Sequence, residues 1–341
     1  MNFAAFSLKR LGYFLPQLIG VIIVAFLVIR LTPGDPILRI TGGMASEGEM
    51  EKMRERMGLD GSLLDQLIHY FKQLFHGDMG VSWFTSQQVT SDLFQRFPAT
   101  LELITISLIL SLLLSIVISF IAAFGPNTFI GKLTNRIVKG YSFLAGAVPD
   151  FWIGILLILL FYSTLGIAPN PMGRYDLTLA SPPSVTGFLT IDSIISGRFD
   201  VLMSYLSHLM LPVATLVFVY SGNILKITTV SIGEALSSPY MKYARSFGVG
   251  KASIIRYALK NALPSIITIS GITYTYLLGG AVLIESIFGW GGMGEYAIQS
   301  AVNTDFPAMQ GFILLSAAFS LFVYLLVDLL YFIINPRMRY E

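Results

Sequence analysis

Six apolar stretches, at positions 11–31, 101–124, 138–165, 208–225, 265–288 and 312–334, constrain this chain more than anything else in it. A bilayer core about 30 Å thick is crossed by roughly 20 helical residues. In hydrocarbon each backbone N–H must find its acceptor within its own segment, so apolar runs of this length resolve as helices. The pattern predicts an all-α integral membrane protein with six transmembrane helices. Charge usage agrees: 12% of the 341 residues are Asp, Glu, Lys or Arg, against about a quarter in a water-facing domain. Mean hydropathy is +0.71.

The first stretch follows Lys9 and Arg10, which raises a signal peptide as the competing reading. Its apolar run is longer than a signal core, and Thr32-Pro33-Gly34-Asp35-Pro36 holds no small-x-small cleavage site, so an uncleaved span is expected. Basic residues set the orientation. With the N-terminus in the cytoplasm, the cytoplasmic segments hold Lys9, Arg10, Lys132, Arg136, Lys139, Lys226, Lys242, Arg245, Lys251, Arg256, Lys260, Arg337 and Arg339. Acids such as Asp35, Glu47, Glu49, Glu51, Glu55, Asp60, Asp65, Asp78 and Asp92 collect on the other side. An even number of spans returns the C-terminus to the cytoplasm.

The expected organisation is an N-terminus and first span over 1–32, a small helical extracytoplasmic cap over 33–99, and a core of five further spans over 100–341. Within the cap, 50–58 and 63–75 read as short amphipathic helices, the second placing Leu64, Leu67, Ile68 and Phe71 on one face. A second outer loop, 166–205, contains Pro169, Pro171, Pro182 and Pro183. The chain shows no internal repeat, so pseudo-symmetry has to come from a partner chain.

Several chemistries are excluded. Without cysteine there are no disulfides, thiolate metal sites or Cys nucleophiles. His69, His76 and His208 are too scattered for a metal site, and the basic residues never line up with stacking aromatics as a nucleic-acid binder requires. The run Gly125-Pro126-Asn127-Thr128-Phe129-Ile130-Gly131-Lys132-Leu133 superficially resembles a phosphate loop. Its second glycine comes one position late, Leu133 stands where Ser or Thr must reach magnesium, and no strand precedes it, so it reads as a cytoplasmic turn.

Charged groups at membrane depth are functional candidates by default. Asp150, after Pro149, lines a pathway or accepts a hydrogen bond from a neighbouring helix. Asp328 reads as a structural pairing near the inner leaflet, and Glu102 and Glu285 as solvated groups at outer span ends. No His or Lys shares their spans to support a proton relay, and no nucleophile–base pair supports a membrane-embedded enzyme. Small polar residues of the fourth and fifth spans suit helix packing or a polar pathway. The pathway candidates are Asp150, Ser221, Asn223, Thr268 and Thr273.

Segment 231–264, between the fourth and fifth spans, is long for a cytoplasmic connection. Ser238 or Pro239 starts a short helix that Gly248 ends, a second basic amphipathic helix runs over 251–262, and Leu263-Pro264 marks entry to the fifth span. Two helices about a glycine-hinged turn fit docking onto another protein. They fit a basic helix lying on anionic lipid equally well.

Tyr243-Ala244-Arg245-Ser246-Phe247-Gly248, followed by Arg256-Tyr257-Ala258-Leu259-Lys260-Asn261-Ala262-Leu263-Pro264, resembles the cytoplasmic EAA loop of binding-protein-dependent ABC importer permeases. The form is that of the dipeptide/oligopeptide/nickel family. Lys242-Tyr243 stand where sugar permeases carry Glu-Ala, and Ser246-Phe247 where the peptide/nickel branch often has Ala-Lys. The likeness extends along the chain, through 30–36, Gly58-Leu59-Asp60, 77–82, 96–103, 285–294, 305–311, 328–331 and 335–339. The insert around Thr186-Gly187-Phe188 and Ile191-Asp192 is similar to the dipeptide-type subunit.

The resemblance implies a type I ABC importer permease fold, with no covalent chemistry and no cofactor in this chain. ATP and magnesium belong to two separate ATPase subunits. A second homologous permease completes the pathway, and an extracytoplasmic binding protein delivers cargo, in the plasma membrane of a prokaryote. Di- and oligopeptides are the expected cargo, with nickel chelates or oligosaccharides as alternatives. A secondary transporter or channel is the alternative of another class. Lys242, Tyr243, Ala244, Arg245, Ser246, Phe247 and Gly248 form the expected ATPase-coupling site. There Ala244 and Gly248 allow close backbone approach, Lys242 and Arg245 pair with acids, and Tyr243 and Phe247 serve as apolar anchors.

Overall fold

The computed structural model describes residues 3–31, 37, 44–56, 61–125 and 128–334. The stretches 32–36, 58–60 and 335–339 singled out above lie outside the described residues, as do Pro126 and Asn127. The apolar stretches are helical, the third in two pieces on either side of 146–149. The order is α1 (Phe3–Leu31), α2 (Glu47–Arg56), α3 (Leu63–Phe75), α4 (Val89–Phe124), α5 (Phe129–Ala145), α6 (Asp150–Leu157, running on as a π-helix over Ile158–Thr164), α7 (Leu189–Ile195), α8 (Phe199–Ser237), α9 (Pro239–Ser246), α10 (Lys251–Ile287), α11 (Met293–Val302) and α12 (Phe306–Ile334).

By length and composition α1, α4, α8, α10 and α12 can each cross a membrane, and α5 with α6, taken as one bent span, brings the number to six. At 1.5 Å per residue, α8 is about 58 Å long and stands well clear of the hydrocarbon. Prolines sit inside four spans, at Pro16, Pro98, Pro212 and Pro264. Two sequence expectations fail at such residues. The third crossing is not one continuous helix over 138–165, because α5 and α6 meet at 106°. Pro149 caps α6 in an extended conformation (φ −61°, ψ 138°) and bars the preceding residue from helical geometry. Conversely, Leu263-Pro264 does not separate a basic helix from the fifth span. Ile254, Ala258, Ala262 and Ile266 recur every fourth residue and are all buried in one apolar cluster, and this continuous stripe carries α10 straight through the proline.

The most extensive helix pairing is that of α4 with α8. Along α4 the buried residues Ser107, Ser111, Ser115 and Ser119 recur every four positions, giving a narrow face on which α8 approaches. Ser119 and Thr229 share a hydrogen bond across it at 2.8 Å. At one end of the bundle Arg10 of α1 pairs with Asp328 of α12 at 3.1 Å, which bears out the structural reading of Asp328, and Phe6 stacks on Phe332 with centroids 4.7 Å apart. The start of the first crossing and the end of the last therefore share one end, as an even number of crossings requires. Tyr331 lines a small cavity with Ile227, Pro264 and Thr268, so the α8–α10 connection lies at that end too.

Helices α2 and α3 fall where the cap helices are expected. Ser62 and Asp65 form a reciprocal capping box at the start of α3. Among the described side chains of α2 and α3 none is buried; Leu64 and Ile68 are exposed, and Tyr70 stacks on Phe26 of α1 at 6.0 Å.

Candidate functional site

The connection between α8 and α10 is compact. Ser238 in extended conformation ends α8 and caps α9, and Pro239 fills its first position, where a missing N–H costs nothing. After two turns the chain reverses at Gly248, whose φ of +72° favours glycine. There the N–H of Gly248 donates to the Arg245 carbonyl at 3.0 Å and that of Val249 to Ala244 at 3.1 Å. The only side chain of α9 that is fully buried is Met241, held among Ile232, Leu236, Ile254 and Ala258. Ala244 and Val249 pack against the same cluster. Ala244 is thus half-buried against the cluster, and Gly248 serves the turn.

The outer face is what remains. Tyr243 is 69% and Phe247 76% exposed, with ring centroids 5.4 Å apart, and Lys242, Arg245 and Ser246 are exposed beside them. Neither cation makes an ion pair among the described residues. Met241 thus anchors a two-turn helix whose outer face presents a pair of aromatic rings between two cations.

The five pathway candidates are not brought together. Asp150, half-buried at the start of α6, accepts a hydrogen bond from the Tyr220 hydroxyl of α8 at 3.2 Å, and Gly280 of α10 leaves room for that hydroxyl. Ser221 is buried and hydrogen-bonded to Tyr141 at 2.7 Å, so it packs α8 onto α5. Asn223 lines a cavity between these helices. Thr268 donates to the Pro264 carbonyl and faces a different cavity. Thr273 is buried inside the bundle.

The opposite end holds what the sequence reading missed. Glu102 is 6% exposed and Glu285 fully buried, so neither is solvated. Glu102 of α4 accepts hydrogen bonds from the N–H groups of Leu189 (3.1 Å) and Thr190 (2.9 Å), from the Thr190 hydroxyl, and from Tyr205 of α8 (2.9 Å). Glu285 of α10 takes the N–H groups of Gly294 (2.7 Å) and Glu295 (3.1 Å) at the start of α11. Thr100 accepts from Met293, and Trp290 donates to the Ala99 carbonyl at 3.2 Å. Asp305 accepts from Ser82 and Phe84. Asp192 accepts from Thr186 and Gly187; burial pushes its carboxyl up, but these bonds outweigh it and hold the group below its ordinary range. The stretches 77–82, 96–103, 186–192, 285–294 and 305–311 therefore converge on one lattice. Its legible signal was a carboxylate followed nine residues later by a glycine-rich helix start, Gly291-Gly292-Met293-Gly294.

Residues 115–340 match the model of a family described as "Binding-protein-dependent transport system inner membrane component". Residues 4–104 match the corresponding N-terminal family, "Binding-prot-dependent transport system membrane comp, N-term". The chain is 38% identical over 319 residues (93% of this chain, 92% of the relative) to "Probable D,D-dipeptide transport system permease protein DdpB" of Escherichia coli strain K12. It is 34% identical over 339 residues (99% of each chain) to the di/tripeptide transport system permease protein DppB of Pseudomonas aeruginosa strain UCBPP-PA14. It is also 34% identical over 337 residues (98% of this chain, 99% of the relative) to the dipeptide transport system permease protein DppB of Alkalihalophilus pseudofirmus.

Proposed function

This chain belongs to the family of binding-protein-dependent transport system inner membrane components, and from that membership we propose that it is the permease subunit of an ATP-driven importer of di- and oligopeptides. The observation that carries the cargo is near full-length similarity to several permeases named for dipeptide or peptide transport. The six-crossing all-α fold is that of a type I permease. Its part is to form the pathway and to transmit force, without covalent chemistry.

In this reading α9 docks on an ATPase subunit. Closure of the ATPases on ATP pushes α9, and α8 and α10 carry the push into the bundle as levers. The support is mechanical: Met241 locks α9 to both long helices while its aromatic and basic face stays free. A second, homologous permease would supply the other wall of the pathway, and a binding protein would load cargo at the Glu102–Glu285 end. The α9 end, with both termini, would be cytoplasmic, as supported by Lys132, Arg136, Lys139, Lys226, Lys242, Arg245, Lys251, Arg256 and Lys260 gathering there.

The experiment is cargo-stimulated ATP hydrolysis by the complete reconstituted assembly, measured across di- and oligopeptides, oligosaccharides and nickel chelates. Stimulation by peptides alone is expected. Stimulation by a sugar or chelate with no response to any peptide would overturn the cargo.

A further inference from the structure

Helices α5 and α8 touch where Gly222 meets Ala145 and Ser142, the Ser142 hydroxyl donating to the Gly222 carbonyl at 3.0 Å. From there toward α9 they diverge around a cavity of about 980 Å³, within the range of ligand sites. Asn135, Lys139 and Ser142 line one wall, and Asn223, Lys226 and Glu234 the other. On α8 the lining residues follow helical spacing along a single face, and Asn223, Lys226 and Glu234 are all exposed on it.

Lys139, Lys226 and Glu234 form no ion pair among the described residues, with each other or with anything else. These three groups lie toward the α9 end of α5 and α8, where the cavity is open and their charges are free to meet a polar ligand. The α8 wall carries both signs, Lys226 and, nearer α9, Glu234, and Lys139 adds a second cation from the α5 wall. Lys226 and Glu234 lie eight residues apart, about 12 Å along the helix axis. An extended peptide covers at most about 3.5 Å per residue, so the two charges bracket a chain of two to four residues once the side chains lean inward.

We propose that this cavity is a station for the free termini of a zwitterionic short peptide, Lys139 and Lys226 taking the carboxylate and Glu234 the ammonium group. The inference rests on the peptide-importer reading and adds to it a recognition site within the permease.

The chain has no cysteine, so Asn223→Cys gives a single labelling point in it. In the complete assembly in vesicles, the reaction of this residue with a water-soluble thiol reagent is followed with dialanine, N-acetyl-dialanine or dialanine amide present. Dialanine at about ten times its Kd leaves about a tenth of sites open and slows labelling about tenfold. The blocked peptides are expected to protect poorly. Lys139→Ala with Lys226→Ala abolishes protection by dialanine, and Glu234→Gln weakens it. Equal protection by blocked peptides, no protection, or a thiol that never reacts would each overturn the station. So would protection that follows anionic lipid in the vesicle rather than added peptide. Peptide-stimulated ATP hydrolysis in the same vesicles separates the two claims: if it persists without protection, the station alone fails, and if it is absent, the peptide reading fails with it.

Discussion

The Tyr205 hydroxyl donates to Oε2 of Glu102 at 2.9 Å, and the same ring lies 5.7 Å from that of Trp290. All three side chains are buried. This contact joins α4, α8 and the loop before α11 at the end of the bundle opposite α9. Among the described residues Glu102 has no cation partner; backbone and hydroxyl donors satisfy it instead, including two N–H groups at the start of α7. A buried carboxylate is tolerated when its oxygens are filled in this way.

Replacing Glu102 with Ala strands several buried donors at once, each worth about 1–3 kcal/mol. Glu102→Ala is expected to lower the apparent Tm of the purified chain by many degrees and to expose the 166–205 insert to trypsin at Arg174 and Arg198. Tyr205→Phe removes one donor and is expected to cost about 1 kcal/mol without releasing the insert. Thermal melts with digestion mapping check both.

Gly280 and Tyr220 share a tight contact: a Cβ at position 280 would collide with the hydroxyl that Tyr220 donates to Asp150. Gly280→Ala is therefore expected to destabilise by about 1–3 kcal/mol, the cost of overpacking. Tyr220→Phe removes the nearest clashing atom and leaves only the ring edge to shift, so the double variant is expected to be more stable than the sum of the two single effects allows. A double-mutant cycle on apparent stability measures the coupling, and strict additivity would contradict it.

Arg10 and Asp328 are 40% and 35% exposed, so their ion pair is worth well under about 1 kcal/mol. Asp328→Arg puts two like charges together and is expected to impair accumulation in the membrane. Arg10→Asp in the same chain is expected to restore it. Quantitative blotting of membranes reads the result, and failure of the swap to rescue would count against both crossings ending on one side.

Hydropathy made the number of crossings legible because lipid acts on every residue of a span alike. It could not show the bend at Pro149, since 138–165 reads as one apolar run in which only Lys139 and Asp150 are charged. Pro264 was misread for the opposite reason: the local rule says stop, but buried contacts from Ile254 to Ile266 hold the helix on both sides of it. The stripe Ser107, Ser111, Ser115 and Ser119 was visible as a spacing, yet nothing in it names α8 as its partner. Glu102 and Glu285 look the same in sequence whether solvated or buried, because their donors are backbone groups more than eighty residues away for Glu102 and nine or ten for Glu285. The α9 residues were legible as a basic, aromatic helix; that Met241 anchors it and Ala244 is half-buried depended on packing.

The central claim is that the free face of α9 delivers ATPase force to a peptide pathway. Its most direct test compares Arg245→Glu with Gly248→Val against the unaltered chain in the complete reconstituted assembly, following ATPase co-purification and ATP-driven peptide uptake together. The account predicts that the variant inserts normally while co-purification and uptake both fall to background. Retention of both at the unaltered level would contradict it.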